Sequence, residues 1–135
     1  MSSITFPANF NFLNEIREFV GEKARVAGFN DKDIYSIQLA TDEAASNIIE
    51  HAYDGVSDGS LELTCDFLNS RLTITLRDHG KVFDPSKVVP PDLKADLSVR
   101  KIGGLGIYLM RKLMDEVHYE SSASGNLLTL VKRKG

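Results

Sequence analysis

The sequence has no tryptophan, four prolines and a single cysteine, Cys65, among its 135 residues. One cysteine cannot form an internal disulfide, and its alternating apolar surroundings predict a small core residue in a reducing compartment. No window approaches the roughly 18 consecutive apolar residues of a membrane-spanning helix. The first residues, MSSITFPANF, lack the basic and apolar regions of a signal peptide. We therefore expect a cytoplasmic protein with no membrane partner.

An excess of charge of one sign is also missing. Sixteen Lys and Arg against 19 Asp and Glu give a net charge of −3, which argues against direct binding to nucleic acid. Apolar residues make up 42% of the chain, too many for a disordered protein. The length suits one domain spanning residues 1–135.

Helical periodicity is present in three segments. Apolar residues recur at helical spacing over residues 11–27, and Gly28 is placed to end that helix. A second helix is expected from Asn30 or Asp31 to about Tyr53. A third follows Gly106. All three are amphipathic enough to cover a sheet.

Alternation with a period of two predicts the strands. Their ranges are 3–6, 61–67, 71–77, 117–121 and 127–132, with turns at Asn69-Ser70 and at residues 123–126. Residues 84–103 contain Pro85, Pro90 and Pro91 and predict a long irregular lid. The order β-α-α-β-β-lid-α-β-β predicts an α+β fold, with helices packed on one face of a mostly antiparallel sheet.

Three short motifs could carry chemistry. Glu43, Asn47 and His51 lie at i, i+4 and i+8 and would share one helical stripe, although most polar stripes are solvated faces. The run Arg77-Asp78-His79-Gly80 ends a strand, where Asp and Gly are also common as plain turn residues.

The third motif is Gly103-Gly104-Leu105-Gly106, which opens a helix. Glycines there let backbone amides approach an anion, while the alternative is a flexible hinge. Neither a Walker A loop nor a dinucleotide fingerprint is present, since no Gly-Lys-Ser/Thr follows and no strand leads directly into the glycines.

Together, the order and spacing of these motifs resemble the GHKL, or Bergerat-fold, ATP-binding domains, and in particular the anti-sigma-factor serine kinases. The stretch LATDEAASNIIEHAYDG resembles that family's N-box, DHG its first glycine box and GGLGIYLMRKLMDEV its second. The resemblance covers nearly the whole chain. It implies a two-layer α/β sandwich with a mostly antiparallel mixed sheet and an ATP lid at about residues 84–103.

The resemblance implies roles for two N-box residues. Asn47 would ligate Mg²⁺ through its side-chain oxygen, with ATP phosphates and water as the other ligands. Glu43 would accept or orient the proton of the incoming hydroxyl. His51 and Tyr53 also match the N-box, where we expect them to pack.

The glycine boxes have implied roles as well. Asp78 would accept a hydrogen bond from the adenine amino group, and Gly80 would leave room for the ring. Gly103, Gly104 and Gly106 would let the lid close and present helix amides to the phosphates. Arg100 and Lys101 flank them and are expected to be solvated lid charges. Where the family commonly opens its last strand with Thr, this chain has Asn126-Leu127.

The implied function is that of an anti-sigma factor and serine/threonine protein kinase. Such a protein uses Mg-ATP to phosphorylate a small antagonist protein, sequesters a sigma factor or similar target, and forms a homodimer. The alternatives are a non-catalytic ATP-dependent binding switch and, ranked lowest, an ATPase with water as the acceptor.

Overall fold

The computed structural model describes residues 2–53, 59–80 and 104–135, without the side chains of residues 51 and 104–107. Its strands are β1 (Ser2–Pro7), β2 (Ser60–Leu68), β3 (Arg71–Asp78), β4 (Glu116–Ser122) and β5 (Gly125–Arg133). Its α-helices are α1 (Leu13–Ala27), α2 (Asp31–Asn47) and α3 (Gly104–Leu113). A 3₁₀ turn at Phe10–Phe12 precedes α1, and a π-helix at Ile48–Ala52 follows α2.

The five strands form one sheet in the order β1-β2-β3-β5-β4. Every pair of neighbouring strands in the described ranges is antiparallel, which agrees with the mostly antiparallel sheet that was expected. The last strand, β5, lies between β3 and β4 rather than at an edge. This register places Asp78, the last residue of β3, opposite Leu61 on β2 and Asn126 on β5.

The core lies between the helices and one face of the sheet, which confirms the predicted α+β arrangement. Ile16 of α1, Ile37 of α2, Ile74 of β3 and Met110 of α3 are all fully buried in it. Burying each such side chain contributes about 1.5–3 kcal/mol. The core therefore holds all three helices against the strands that carry the candidate site.

Helix α1 begins two residues later than predicted, at Leu13 instead of Asn11. The reason is local, because the Asn9 side chain accepts a hydrogen bond from the Asn11 amide at 2.8 Å and holds a 3₁₀ turn. At the other end Gly28 adopts a left-handed conformation with φ 93°, and its amide donates to the Ala24 and Arg25 carbonyls. The predicted glycine stop is confirmed.

Helix α2 begins as predicted, with Asn30 accepting a hydrogen bond from the Asp33 amide at 2.8 Å. Helical structure ends near Tyr53 as predicted, but α-helical geometry stops at Asn47 and the next five residues form a π-helix. The Tyr53 amide donates to the Ile48 carbonyl at 3.3 Å, a five-residue spacing. The apolar pattern continues through this turn, so a period of 3.6 does not reveal the change.

Both hairpins are confirmed. Asn69 and Ser70 take positive φ angles of 54° and 61°, as a tight two-residue hairpin turn requires. The second loop is shorter than predicted, because Gly125 and Asn126 already belong to β5.

The predicted lid at residues 84–103 lies outside the described residues. In the three described ranges, no helix has the length and apolar character needed to cross a membrane.

Candidate functional site

The π-helix and the exit of β3 are in close backbone contact. A Cβ atom at Gly80 would lie 2.4 Å from the carbonyl oxygen of Ala52, so only glycine fits there. The sequence predicted that Gly80 leaves room for an adenine ring. The structure shows that Gly80 also lets the segment following Asn47 pack against the segment following Asp78.

Tyr53 fixes the same junction by hydrogen bonds. Its hydroxyl donates to the Ser60 carbonyl at 2.7 Å and accepts from the His79 amide at 2.9 Å. A Cβ at Gly59 would lie 2.5 Å from the Tyr53 ring, so β2 begins directly against this side chain. The sequence predicted packing for Tyr53, and these bonds show that it joins the N-box segment to two strands.

Asn47, the last residue of α2, is 5% exposed. Its Nδ2 atom is the one buried side-chain polar atom in the described ranges without a hydrogen-bond partner. Leaving such an atom without a hydrogen bond costs about 1–3 kcal/mol, so a bound ligand or ion that contacts the Asn47 side chain would remove this cost. The two ends of an amide exchange places by rotation, and the rotated side chain would direct Oδ1 to the same place. A carbonyl oxygen there has the chemistry that Mg²⁺ prefers.

Glu43 lies one turn before Asn47 on α2 and is partly buried. Burial raises the pKa of its carboxyl above the ordinary value of 4.5, and the negative charges of Asp42 and Glu50 raise it further. A carboxylate with a raised pKa is a better proton acceptor near neutral pH. The site thus combines a buried amide with a strengthened base on one helix.

Asp78 is 1% exposed at the end of β3. Its Oδ1 accepts hydrogen bonds from the Gly80 amide and from Asn126 Nδ2, each at 2.9 Å. Burial raises the pKa of this carboxyl, and the bonds from Asn126 and Gly80 partly oppose the rise. Its Oδ2 accepts no hydrogen bond from the described residues, which leaves one carboxylate oxygen available to a ligand.

Asn126 and Tyr119 were not predicted as site residues. Asn126 is 3% exposed, and its Oδ1 accepts a hydrogen bond from the Tyr119 hydroxyl at 2.6 Å. A Cβ at Gly125, whose φ is 132°, would lie 2.0 Å from the Asp78 carbonyl oxygen. The start of β5 therefore lies tightly against Asp78. The departure at Asn126-Leu127 from the family's usual Thr was the signal that could have identified this position.

The second glycine box is only partly described. Gly103, Arg100 and Lys101 lie outside the described residues, whereas Gly104 and Gly106 belong to the first turn of α3. Amides of a first helical turn lack intrahelical acceptors and favour anions. The described ranges contain no cluster of three His, Cys, Asp or Glu that could hold a metal. A magnesium ion here would therefore depend on Asn47 together with phosphate oxygens and water.

Comparison with known proteins bears on the whole chain. The histidine kinase-like ATPase domain family matches residues 6–132. A serine-protein kinase RsbW from Halalkalibacterium halodurans is 32% identical over 133 residues, covering 96% of this chain and 80% of that protein. The serine-protein kinase RsbW of Listeria monocytogenes is 29% identical, with coverage of 98% and 88%.

Solved structures share the fold. The RsbU and RsbW domains of a Mycobacterium tuberculosis protein match with a TM-score of 0.69 at 20% identity, over 99% of this chain and 33% of that one. The histidine kinase domain of an Erythrobacter litoralis blue-light-activated kinase matches with a TM-score of 0.56 at 16% identity, with coverage of 96% and 62%. The chain therefore belongs to the histidine kinase-like ATPase family, and within it to the anti-sigma-factor serine kinases predicted from its motifs.

Proposed function

We propose that the protein is a serine/threonine kinase whose single domain, residues 1–135, binds Mg-ATP and phosphorylates a small antagonist protein. The observation that carries the proposal is the buried amide of Asn47, whose Nδ2 has no hydrogen-bond partner among the described residues, one helical turn after a carboxylate with a raised pKa. The serine-protein kinase names of its relatives support the same reaction.

Asn47 would hold the metal through its side-chain oxygen, and a bound Mg²⁺ would neutralise charge on the phosphates. Asp78 would accept a hydrogen bond from the adenine amino group through Oδ2, since its Oδ1 already has two donors. Gly80, besides packing against Ala52, would leave room for the adenine ring. Gly103, Gly104 and Gly106 would bring backbone amides to the phosphates.

Glu43 would accept the proton of a substrate serine or threonine. As that oxygen forms its bond to the γ-phosphorus, the bond to the leaving oxygen of ADP breaks and the proton moves to the Glu43 carboxylate. Its raised pKa, caused first by burial, makes it a stronger acceptor than a solvated glutamate. Phosphoryl transfer relies mainly on positioning and charge stabilisation, so this small set of residues suffices.

The partners in this proposal are the antagonist, as the phosphorylation substrate, and a sigma factor or similar target bound in the cytoplasm. We also propose a homodimer. A groove of about 660 Å³ runs between β1 and α1 and is lined by Ile4, Phe6 and Phe19 together with charged residues of α1. Ile4, on an edge strand of the described sheet, is 37% exposed in it. Sedimentation equilibrium of wild type and Ile4→Glu tests this, and a monomeric wild type would refute it.

The kinase proposal is tested by mixing the protein, Mg-ATP and the candidate antagonist and measuring phosphoserine or phosphothreonine by mass spectrometry. We expect Glu43→Gln to bind Mg-ATP within about twofold of wild type and to lose at least about 100-fold in transfer rate. Ser46→Ala, on the same helix, is the matched control and should phosphorylate at the wild-type rate.

Two results would contradict the proposal. Full phosphorylation by Glu43→Gln would exclude Glu43 as the proton acceptor. Nucleotide-dependent capture of the antagonist by wild type without any phosphorylated product would instead identify a non-catalytic binding switch. Steady phosphate release without the antagonist would identify water as the acceptor.

A further inference from the structure

Three side chains, two of them buried and one partly buried, form a hydrogen-bonded chain that ends at the candidate adenine site. The Tyr119 hydroxyl donates to Asn126 Oδ1 at 2.6 Å, and Asn126 Nδ2 donates to Asp78 Oδ1 at 2.9 Å. The chain crosses three neighbouring strands, from β4 at the edge of the sheet through β5 to β3. Asp78 and Asn126 are almost fully buried, so bulk water does not compete with the bond between them.

The Asp78 carboxylate determines which way the Asn126 amide faces, because an ionised carboxylate only accepts and therefore bonds to the Nδ2 end. The Tyr119 hydroxyl donates to Oδ1 and holds the other end of the amide. The reversed amide would place its oxygen against a carboxylate oxygen, two acceptors in a buried space. The Asn126 donor is therefore held in place from both sides.

This donor in turn orients the Asp78 carboxylate. The Gly80 amide and Asn126 Nδ2 both bond to Oδ1, and the two bonds come from different elements, the β3 exit and β5. Two donors on one oxygen fix the rotation of the carboxylate plane. They leave Oδ2 as the oxygen that can accept a further hydrogen bond.

We propose that Asn126, held by Tyr119, is a positioning residue that makes the Asp78 site selective for purines with a 6-amino group. The inference rests on the proposed function, in which Asp78 accepts a hydrogen bond from adenine. A fixed carboxylate oxygen accepts a hydrogen bond from a 6-amino group and repels the 6-oxo group of guanine. It forms no hydrogen bond with a purine that has hydrogen at position 6. Without Asn126 the Asp78 carboxylate rotates, and its hydrogen bond from the 6-amino group becomes weaker.

The test compares two ligands across matched variants. Calorimetry gives the dissociation constants of Mg-ATP and of Mg-purine riboside triphosphate, which lacks the 6-amino group. We expect wild type to bind ATP at least about tenfold more tightly. In Asn126→Ala the preference for Mg-ATP over the purine riboside analogue should fall to about twofold or less. The variant should bind ATP more weakly and bind the analogue as tightly as wild type does. Tyr119→Phe should lower the preference to an intermediate value.

Leu127→Ala, the next residue on β5, is the control and should keep the wild-type preference. A general loss of structure would weaken both ligands equally and leave the ratio unchanged, so the ratio separates positioning from stability. If Asn126→Ala does not fold, as judged by thermal unfolding, Tyr119→Phe decides the question.

The outcomes distinguish the two proposals. A wild type that binds both ligands equally refutes the adenine contact of Asp78, and the present inference with it. If wild type prefers ATP, and Asn126→Ala and Tyr119→Phe prefer it to the same degree as wild type, only the role of Asn126 and Tyr119 is refuted.

Discussion

The hydroxyl of Tyr53 accepts a hydrogen bond from the backbone amide of His79 at 2.9 Å. This bond joins the residue that ends the π-helix to the residue that follows Asp78. The close approach of Gly80 to Ala52 reinforces the connection. The two halves of the candidate site, one from the N-box helix and one from the sheet, are therefore held in a fixed relation by contacts made five to six residues after Asn47 and one to two residues after Asp78.

We predict that Asn47→Ala weakens Mg-ATP binding at least about tenfold while changing the free energy of unfolding by less than about 1 kcal/mol. The substitution destabilises the fold by removing side-chain packing. It also removes a buried Nδ2 that has no hydrogen-bond partner among the described residues, and the relief of that desolvation cost offsets the lost packing. Calorimetry with Mg-ATP and chemical denaturation of the free protein measure the two effects. Ser46→Ala is the control, and unchanged affinity in Asn47→Ala would refute the magnesium assignment.

We predict that Gly80→Ala lowers the free energy of unfolding by about 1–3 kcal/mol. The new methyl group would meet the Ala52 carbonyl oxygen at 2.4 Å, and backbone on both sides leaves little room to relax. Gly135→Ala is the control for an added methyl group without a steric clash, because nothing lies within 4 Å of a Cβ there and its φ of 115° is the one source of strain. If the two variants have equal free energies of unfolding in urea titrations, the backbone contact between Gly80 and Ala52 can shift at little energetic cost, which contradicts the prediction.

A pH dependence follows from Glu43. Its pKa is raised in the folded protein, first by burial, so its contribution to stability is complete below the unfolded value and is lost as pH rises through the folded value. Glu43→Gln cannot ionise, so its stability relative to wild type should increase as the pH rises above 4.5 and through the raised pKa of the folded protein.

Chemical denaturation at successive pH values measures this change. Asp42→Asn should make it smaller, because the Asp42 charge is one cause of the raised pKa. A pH-independent difference between Glu43→Gln and wild type would contradict the prediction.

We predict that Cys65 resists alkylation in the native protein. Burial raises its pKa from 9.0 to about 12, which lowers the thiolate fraction at pH 8 by about a thousandfold. Iodoacetamide labelling followed by mass spectrometry should show reaction only after unfolding in urea. A cysteine introduced at the exposed position Ala123, in a Cys65→Ala background, should react at once. Rapid native labelling of Cys65 would contradict the prediction.

Much of the fold was predictable because its signals are local. Alternation over residues 61–67 and 71–77, the glycine stop at Gly28 and the cap at Asn30 each depend on neighbours in the chain. The family followed from the order of three motifs. The assigned roles of Glu43, Asn47, Asp78, Gly80, Gly103, Gly104 and Gly106 stay predictions until nucleotide binding is measured.

What the sequence did not reveal depends on contacts between distant segments. The bond from Asn126 to Asp78 spans 48 positions and exists because β5 pairs with β3. The packing of Gly80 on Ala52 depends on a π-turn that leaves the apolar pattern intact. Neither contact has a periodicity that a sequence window could detect.

The interior position of β5 also constrains how the protein can be made. On the ribosome, β1, β2 and β3 emerge first and can pair in sequence, but β3 keeps an open edge until residues 125–133 have left the exit tunnel. Strand β4 cannot join the sheet before then, since its pairing partner is β5. Nascent chains halted before Gly125 should therefore expose an unpaired edge of β3, bind chaperones and lack Asn126, which contacts Asp78 in the folded domain.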